Sequence, residues 1–212
     1  MRVVVESKKE AIKRTALILQ KFLKKKPNAV LGLATGKTMI PLYKELASLG
    51  RKGKIDFSKA ETFNLDEYAN KKTFHNYMNS NFFNKINVSR KKIHFPSANG
   101  KNYEHEIKKS GGIDLCFLGI GTNGHIAFNE PGSSFASITR KVITSDKKSA
   151  YTMGIKTIMN SKKIMLLAFG KEKADAVAKA VKGKISEEIP ASILRKHRDA
   201  TFILDKSAAG KL

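Results

Sequence analysis

The chain has 212 residues, of which 41 are Lys or Arg and 18 are Asp or Glu, and its formal net charge is +23. This length is enough for one α/β domain with a sizeable core, so we expect a single domain over residues 1–212. The single cysteine, Cys116, excludes a disulfide framework within the chain, and the apolar runs are too short to span a bilayer. These features are typical of a cytoplasmic protein that has no membrane partner.

Strand and helix signals alternate along the chain. The predicted strands cover, in chain order, residues 2–5, 29–33, 61–65, 93–95, 113–118, 140–144, 164–169 and 200–204. The predicted helices cover residues 8–25 after an N-cap at Ser7, the segment from residue 38 to Leu49 closed by Gly50, and residues 74–86, 103–109, 152–160, 171–181 and 191–196. This alternation predicts an α/β fold, a single-domain three-layer αβα sandwich of modified Rossmann-like type whose sheet is mostly parallel.

The large positive charge has two interpretations. A basic protein can bind nucleic acid, or it can simply have a lysine-rich surface. The basic residues are scattered in short runs, no aromatic residues are interleaved with them, and no nucleic-acid-binding motif is present. We therefore favour a lysine-rich surface and expect no specific nucleic-acid partner. A positive field would still speed the capture of an anionic substrate.

Polar and glycine-rich segments follow four of the predicted strands. These segments are Thr35–Thr38, Asp66-Glu67, Gly119–Ser133 and Gly170–Lys173. Ligands of such sheets bind beyond the carboxyl ends of the strands, and helix starts favour anions. We expect one sheet edge to carry a phosphate cradle, a carboxylate and the pair His125 and Glu130. Taken singly, Asp66-Glu67 also fits a solvated turn or a helix N-cap, and Lys173 fits an ordinary surface lysine.

The glycines of the third segment have a nucleotide-binding alternative. Gly119, Gly121 and Gly124 have the G-x-G-x-x-G spacing of a dinucleotide fingerprint. That fingerprint requires a helix at the third glycine and an acidic residue about 20 residues further on. Here Pro131 interrupts any helix, and no acidic residue lies near the required distance. We therefore interpret the turn as one that presents a catalytic histidine.

Four ordered blocks along the chain carry a family resemblance. The blocks are Gly32–Thr38, Phe63–Tyr68, Gly119–Ser134, and Gly170–Ala174 followed by Ile189–Leu194. They resemble the glucosamine-6-phosphate deaminase (isomerase) family, which is related to the 6-phosphogluconolactonases. The run His-Ile-Ala-Phe-Asn-Glu-Pro from His125 is typical of the deaminase branch, whereas lactonases usually carry His-Thr-Ala-Ser-Leu-Phe-Pro there.

The resemblance implies conversion of glucosamine 6-phosphate and water to fructose 6-phosphate and ammonia, with no cofactor. The catalytic residues it implies are Asp66 as the base at C2, His125 for ring opening, Glu130 as the partner of the imidazole, and Asn123 as a hydrogen-bonding group. The substrate- and phosphate-binding residues it implies are Thr35, Gly36, Lys37, Thr38, Gly121 and Lys173. No metal is expected, because the histidines and the cysteine lack metal-ligand spacing.

Some positions depart from the family pattern. Lys37 stands where a small residue is common, and the segment 145–150 is short and lacks a phosphate-binding arginine. We expect Lys37 and Lys173 to replace that arginine. The loop 69–73 is also short, which predicts a reduced lid. Arg140 matches part of a regulatory pocket of larger relatives but Val142 does not, so we expect no activation by N-acetylglucosamine 6-phosphate.

Several alternatives remain open at this point. The substrate could be the C4 epimer, galactosamine 6-phosphate, and the reaction could run in the aminating direction. A non-catalytic sugar-phosphate-binding protein is a second class, and a lactonase is disfavoured because Asp66 would then have no role. The protein could be a monomer or a homo-oligomer.

Overall fold

The computed structural model describes residues 1–212. Its strands are β1 (Arg2–Val5), β2 (Val30–Leu33), β3 (Glu61–Asn64), β4 (Asp66–Tyr68), β5 (Ile93–His94), β6 (Leu115–Leu118), β7 (Arg140–Ile143), β8 (Ser149–Thr152), β9 (Lys163–Ala168) and β10 (Ala200–Leu204). Its helices are α1 (Lys8–Lys25), α2 (Ile40–Arg51), α3 (Thr73–Asn81), α4 (Gly100–Lys109), α5 (Ile155–Met159) and α6 (Ala174–Lys182). Short 3-10 segments cover Phe83–Lys85, Arg90–Lys92, Lys171–Lys173 and Pro190–Lys196. None of the helices has both the length and the apolar run needed to cross a membrane.

Seven strands form one parallel sheet in the order β1-β10-β9-β6-β2-β3-β5. Its central strands β2, β6 and β10 are buried along their whole length, which explains their continuous apolar sequences. From β1 to β5 the chain advances across the sheet in one direction, and from β5 to β10 it returns in the other. The direction of connection therefore reverses between the neighbours β2 and β6, and a crevice opens beyond their carboxyl ends.

The same strand order places the helices in two layers. Crossover connections between parallel strands are right-handed, so α1 to α3 cover one face of the sheet and α4 to α6 cover the other. The helix α1 begins with the expected cap: the Ser7 side chain accepts a hydrogen bond from the N–H of Glu10, and the Glu10 side chain accepts one from the N–H of Ser7. This architecture confirms the predicted α/β sandwich with a mostly parallel sheet.

A second, smaller sheet was not predicted. Strands β4, β8 and β7 form an antiparallel sheet in that order, with Asp66 paired to Thr152. The expected helix over 152–160 is therefore wrong in its first turn, because residue 152 belongs to β8 and the helix begins at Ile155. The short polar run of β8 has no strand periodicity of its own, and its pairing with two distant segments determines its conformation.

Other differences concern element ends. Helix α2 continues through Gly50 to Arg51, and α3 ends at Asn81 because the backbone of Phe82 leaves the helical region. Helix α4 begins earlier than expected, at Gly100, since the side chain of Asn99 caps it through the N–H of Asn102. Strand β6 begins at Leu115, two residues later than expected, and helix α6 begins at Ala174 after a 3-10 turn.

Candidate functional site

A pocket of about 430 Å³ lies at the carboxyl ends of four neighbouring strands. It is lined by residues that follow β2, β3, β6 and β9, which are the four segments singled out in the sequence. These lining residues include Thr35, Gly36, Lys37, Thr38, Asp66, Gly121, His125 and Lys173. The volume is within the range of small-molecule sites, and its position at the β2/β6 reversal is the one that this sheet topology favours.

Asp66 lies at the junction between the two sheets. The preceding residue, Leu65, still bonds to Leu33 of the parallel sheet, while Asp66 begins β4, so the carboxyl is 5% exposed. Burial raises the pKa of Asp66 to about 7, Thr35 opposes this through a 3.3 Å hydrogen bond, and the charge of Glu67 adds to the rise. A carboxylate with a pKa near neutrality can accept a proton from a weak acid and return it.

His125, which lines the pocket, forms a hydrogen-bonded chain with Asn123 and Glu130, neither of which lines it. The Oδ1 atom of Asn123 lies 2.7 Å from Nδ1 of His125, and the Nδ2 atom of Asn123 donates to Glu130 at 2.7 Å. The expected contact of Glu130 with the imidazole is longer, 3.4 Å from Oε2 to Nδ1. Asn123 therefore stands between the two residues. Because its oxygen faces the ring, Nδ1 donates and Nε2 is left as the proton acceptor.

The environment of His125 favours the neutral imidazole. Burial lowers the pKa of His125, Glu130 opposes this effect, and the positive charge of Lys173 adds to it. A neutral ring with a free Nε2 can take a proton from a hydroxyl group, and Glu130 stabilises the cation that results. The arrangement fits a proton shuttle.

Gly121 allows the imidazole to occupy its position. The loop folds back so that the N–H of Gly121 donates to the carbonyl of His125 at 2.9 Å. A Cβ atom added at Gly121 would lie 2.2 Å to 2.6 Å from three atoms of the imidazole ring. The residue is thus required for the close packing of the ring on the turn, rather than for a nucleotide.

The loop after β2 has the features of an anion cradle. Gly36 has a φ of 107°, which favours glycine, and the N–H groups of Gly36, Lys37 and Thr38 have no acceptor within the protein. The carbonyl of Gly36 accepts from the hydroxyl of Tyr77 at 2.8 Å, which holds the turn from the α3 side. Successive free N–H groups of this kind bind phosphate oxygens.

Two lysines line the same pocket from different segments. Lys37 is exposed on the β2 loop, and Lys173 is half-buried at the end of the 3-10 turn after β9. Burial lowers the pKa of Lys173, while Glu172 opposes the change. The structure therefore brings together the two cations expected to replace the missing arginine.

Residues around Glu130 fix the histidine loop. Asn129 is fully buried, and its amide donates to the carbonyls of Ile126 and Met153. Arg140 of β7 donates to the side-chain oxygen of Asn129 at 2.9 Å, so the guanidinium supports this loop from the second sheet. Ala127, which lines the pocket, has a φ of 50°, a conformation that is uncommon for alanine.

Sequence reasoning missed part of the pocket wall. Phe74 of α3 and Phe128 of the histidine loop both line the pocket, together with Ala127. Phe128 lies inside the His-Ile-Ala-Phe-Asn-Glu-Pro motif, but the motif does not specify the direction of its ring. No three His, Cys, Asp or Glu side chains converge as a metal site requires.

The role of Asn123 gives a direct prediction. In Asn123→Asp a carboxylate would face the Nδ1–H of His125, and we expect the pKa of His125 to rise by about one to three pH units. The titration of the His125 ring protons by NMR measures this change. Asn28→Asp adds the same charge before β2, at the opposite end of the sheet, and is expected to leave the titration unchanged. Equal titrations for Asn123→Asp and the wild type would contradict the assigned contact.

The family follows from a comparison with known proteins. A family model described as glucosamine-6-phosphate isomerases/6-phosphogluconolactonase matches residues 5–203. The chain belongs to this family. A glucosamine-6-phosphate deaminase of Clostridium botulinum (strain Kyoto / Type A2) is 44% identical over 99% of this chain and 98% of the relative. Another, of Thermoanaerobacter sp. (strain X514), is 42% identical over 99% of this chain and 94% of the relative.

Solved structures agree with this family. One that is described as a monomeric glucosamine-6-phosphate deaminase is 39% identical, covers 100% of both chains and has a TM-score of 0.95. The 6-phosphogluconolactonase of Thermotoga maritima is 21% identical with a TM-score of 0.80, covers 97% of this chain and 99% of its own, and shows the fold alone. The resemblance and the fold class predicted from the sequence are confirmed. The alignment with the Clostridium relative spans 238 positions against 212 residues here, so that relative has segments this chain lacks.

Proposed function

We propose that this protein converts glucosamine 6-phosphate and water to fructose 6-phosphate and ammonia. The observation that carries the proposal is the buried carboxyl of Asp66, whose pKa of about 7 suits a base for carbon acids, in one pocket with His125. Hydrolysis of a lactone has no step that uses a base at C2. The names of the relatives at 42% to 44% identity agree with the proposed reaction.

The substrate is oriented by its phosphate. The free N–H groups of Gly36, Lys37 and Thr38, with the ammonium groups of Lys37 and Lys173, form the anion-binding end of the pocket. Asp66 and His125 line the same pocket and would then face the sugar carbons and the ring oxygen. Such positioning turns two successive proton transfers into steps within one complex.

Ring opening is assigned to His125. Its Nε2 takes the proton from the O1 hydroxyl, the C1–O5 bond breaks, and O5 receives a proton, which gives the open-chain aldehyde. Asn123 holds the ring in the tautomer that this step needs, and Glu130 stabilises the imidazolium while it exists. Proton release and uptake balance, so the ring is neutral again when opening is complete.

Isomerisation is assigned to Asp66. Its carboxylate removes the proton from C2, the electron pair forms the C1–C2 double bond, and O1 receives a proton from the C2 ammonium group to give a neutral enolamine. The carboxylic acid then returns the proton to C1, which leaves a protonated imine at C2. Water adds to that imine, and ammonia departs to leave the ketone of fructose 6-phosphate.

We also propose that the protein acts as a monomer. The similar structure at 39% identity, which covers 100% of this chain, is described as monomeric. Light scattering gives the mass of the active species during turnover. Activity found only in a species larger than one chain would contradict the proposed monomer.

The deciding experiment compares three substrates with one enzyme preparation. Release of ammonia and fructose 6-phosphate from glucosamine 6-phosphate is expected, and the kcat/KM for galactosamine 6-phosphate shows which C4 epimer the site prefers. Hydrolysis of 6-phosphogluconolactone is expected to be absent. Lactone hydrolysis without ammonia release would assign the chain to the other branch, and binding of glucosamine 6-phosphate without turnover would make it a non-catalytic binder.

Lys37 is predicted to bind the substrate phosphate. Because charge-assisted contacts to phosphate contribute about 1.5–3 kcal/mol, we expect Lys37→Ala to raise KM roughly tenfold or more and to change kcat little. Steady-state kinetics with glucosamine 6-phosphate measures the two constants. Lys44→Ala removes the same charge from the exposed face of α2 and is the matched control. An equal rise in KM for both variants would show that overall charge, and not a contact of Lys37, determines binding.

A further inference from the structure

Two aromatic rings line the pocket, and a third ring packs against both of them. Tyr68 of β4, Phe74 of α3 and Phe128 of the histidine loop contact one another with ring centroids 5.2 Å to 5.7 Å apart. Phe74 and Phe128 line the pocket that also contains Asp66. We call these three rings the aromatic wall. Apolar groups beside a carboxylate exclude water from it, which strengthens its action as a base.

The position of Phe74 depends on a carboxylate seven residues before it. Glu67 is 6% exposed, and its Oε1 atom accepts from the N–H groups of Tyr68 at 2.8 Å and Phe74 at 2.9 Å. Its Oε2 atom accepts from the N–H of His75 at 2.7 Å. These three bonds tie β4 to the first turn of α3.

Helix α3 has no other side-chain cap. Lys72, at the N-cap position, makes no side-chain hydrogen bond, and the first turn contains no acidic residue. A helix start with unpaired N–H groups is stabilised by a negative charge, which Glu67 supplies from the neighbouring strand. Since Glu67 follows Asp66 directly in β4, the start of α3 is fixed relative to the proposed base.

We propose that Glu67 is a positioning residue whose carboxylate holds the start of α3 so that Phe74 closes the aromatic wall beside Asp66. The inference rests on the proposed function, because it concerns the base of the isomerisation step. Loss of the Glu67 carboxylate would admit water to Asp66 and remove a neighbouring negative charge. Both changes favour the ionised form of Asp66 and make it a weaker base.

The pH dependence must be considered with every charged group near Asp66. On the elements packed around it, these groups are Glu67 and Tyr68 of β4, Tyr43 of α2, His75 of α3, Tyr103 of α4, Tyr151 of β8, and Lys37, His125, Glu172 and Lys173 across the pocket. Among them, only Glu67 both adjoins Asp66 in sequence and bonds to the backbone of Phe74. Replacing Glu67 therefore changes both the charge next to Asp66 and the position of Phe74 in the aromatic wall.

The test measures the pH profile of kcat for Glu67→Gln. We expect kcat at its plateau to fall roughly threefold to tenfold, and the acid limb to move to lower pH by about half to one pH unit. Phe74→Leu keeps the charge of Glu67 and removes the aromatic ring, so it is expected to move the acid limb to lower pH by a smaller amount.

The double variant Glu67→Gln with Phe74→Leu is expected to have nearly the same kcat as Glu67→Gln alone, because both residues act through the aromatic wall. Faster amide exchange at Phe74 and His75 in Glu67→Gln is the accompanying structural measurement.

Glu10→Gln is the matched control, because Glu10 is likewise a helix-capping carboxylate, bonded to Ser7 at α1. It is expected to lower the melting temperature without moving the acid limb. An active wild type with an unmoved acid limb in Glu67→Gln overturns the inference and leaves the proposed function standing. A wild type that releases no ammonia from glucosamine 6-phosphate overturns the proposed function, and this inference with it.

Discussion

Asp66→Asn is expected to lower kcat for ammonia release by about 10³-fold to 10⁴-fold, because an amide cannot accept the proton from C2. The substitution preserves the size of the side chain and its contact with Thr35, so binding of the sugar phosphate should change little. Ammonia and fructose 6-phosphate assays give kcat, and exchange of the C2 proton with solvent deuterium reports the assigned step directly.

The control for this variant is Asp175→Asn. Asp175 is exposed on α6 and pairs with Lys211, away from the pocket. It is expected to retain wild-type kcat. If Asp66→Asn retained C2 proton exchange at the wild-type rate, another group would be the base and the assigned mechanism would be wrong.

The raised pKa of Asp66 also sets the pH dependence of the wild type. The carboxylate is the reactive form, so kcat/KM, which reports the free enzyme, is expected to fall as the pH decreases below about 7, where Asp66 becomes protonated. His125 acts as a neutral base as well, but its pKa is lowered by burial, so its protonation adds to the loss only at more acidic pH. The first loss of activity on acidification thus reports Asp66.

The same pKa predicts that the inactive variant is the more stable protein. A carboxyl whose folded pKa is raised from 3.8 to about 7 favours the folded state in its protonated form, and this contribution is lost as the pH rises through that interval. The loss amounts to about 4 kcal/mol once the pH exceeds 7. Asp66→Asn mimics the protonated form, so its gain in unfolding free energy should be larger at pH 8 than at pH 5. Urea unfolding at the two pH values measures the difference.

Much of the site could be predicted because its residues follow parallel strands. The segments after β2, β3, β6 and β9 had to meet at one edge once those strands were recognised, and the pocket contains residues from all four. The glycine turn before His125 also had a local signature. The assigned chemical roles of these residues stay predictions that the proposed experiments test.

The features that could not be predicted depend on contacts between segments that no local sequence pattern specifies. Strand β8 forms only because β4 and β7 pair with it, so the sequence of 149–152 gave no sign of it. The place of Asn123 between His125 and Glu130 is set by side-chain torsions within a loop. Glu67 caps a helix that begins six residues later, at a spacing no capping motif has.

Gly121→Ala is expected to reduce kcat/KM by about 10²-fold to 10³-fold while the protein still folds. The added Cβ would lie 2.2 Å to 2.6 Å from ring atoms of His125, a separation that real atoms do not tolerate. The imidazole is a side chain at the edge of an open pocket, so it can rotate away from the methyl group. The backbone bond from Gly121 to His125 can therefore survive while Nε2 leaves the position that ring opening requires.

Gly119→Ala separates this effect from a general cost of removing glycine. At Gly119 the nearest atom to an added Cβ is Cε of Met39 at 3.9 Å, an ordinary contact, and kcat/KM should change much less than for Gly121→Ala. Melting temperatures within a few degrees of wild type are expected for both variants. Because the rotated imidazole would become more exposed, the lowered pKa of His125 should return toward its ordinary value in Gly121→Ala, which an NMR titration detects. Normal kcat/KM together with an unchanged titration would mean that His125 does not depend on Gly121 for its position.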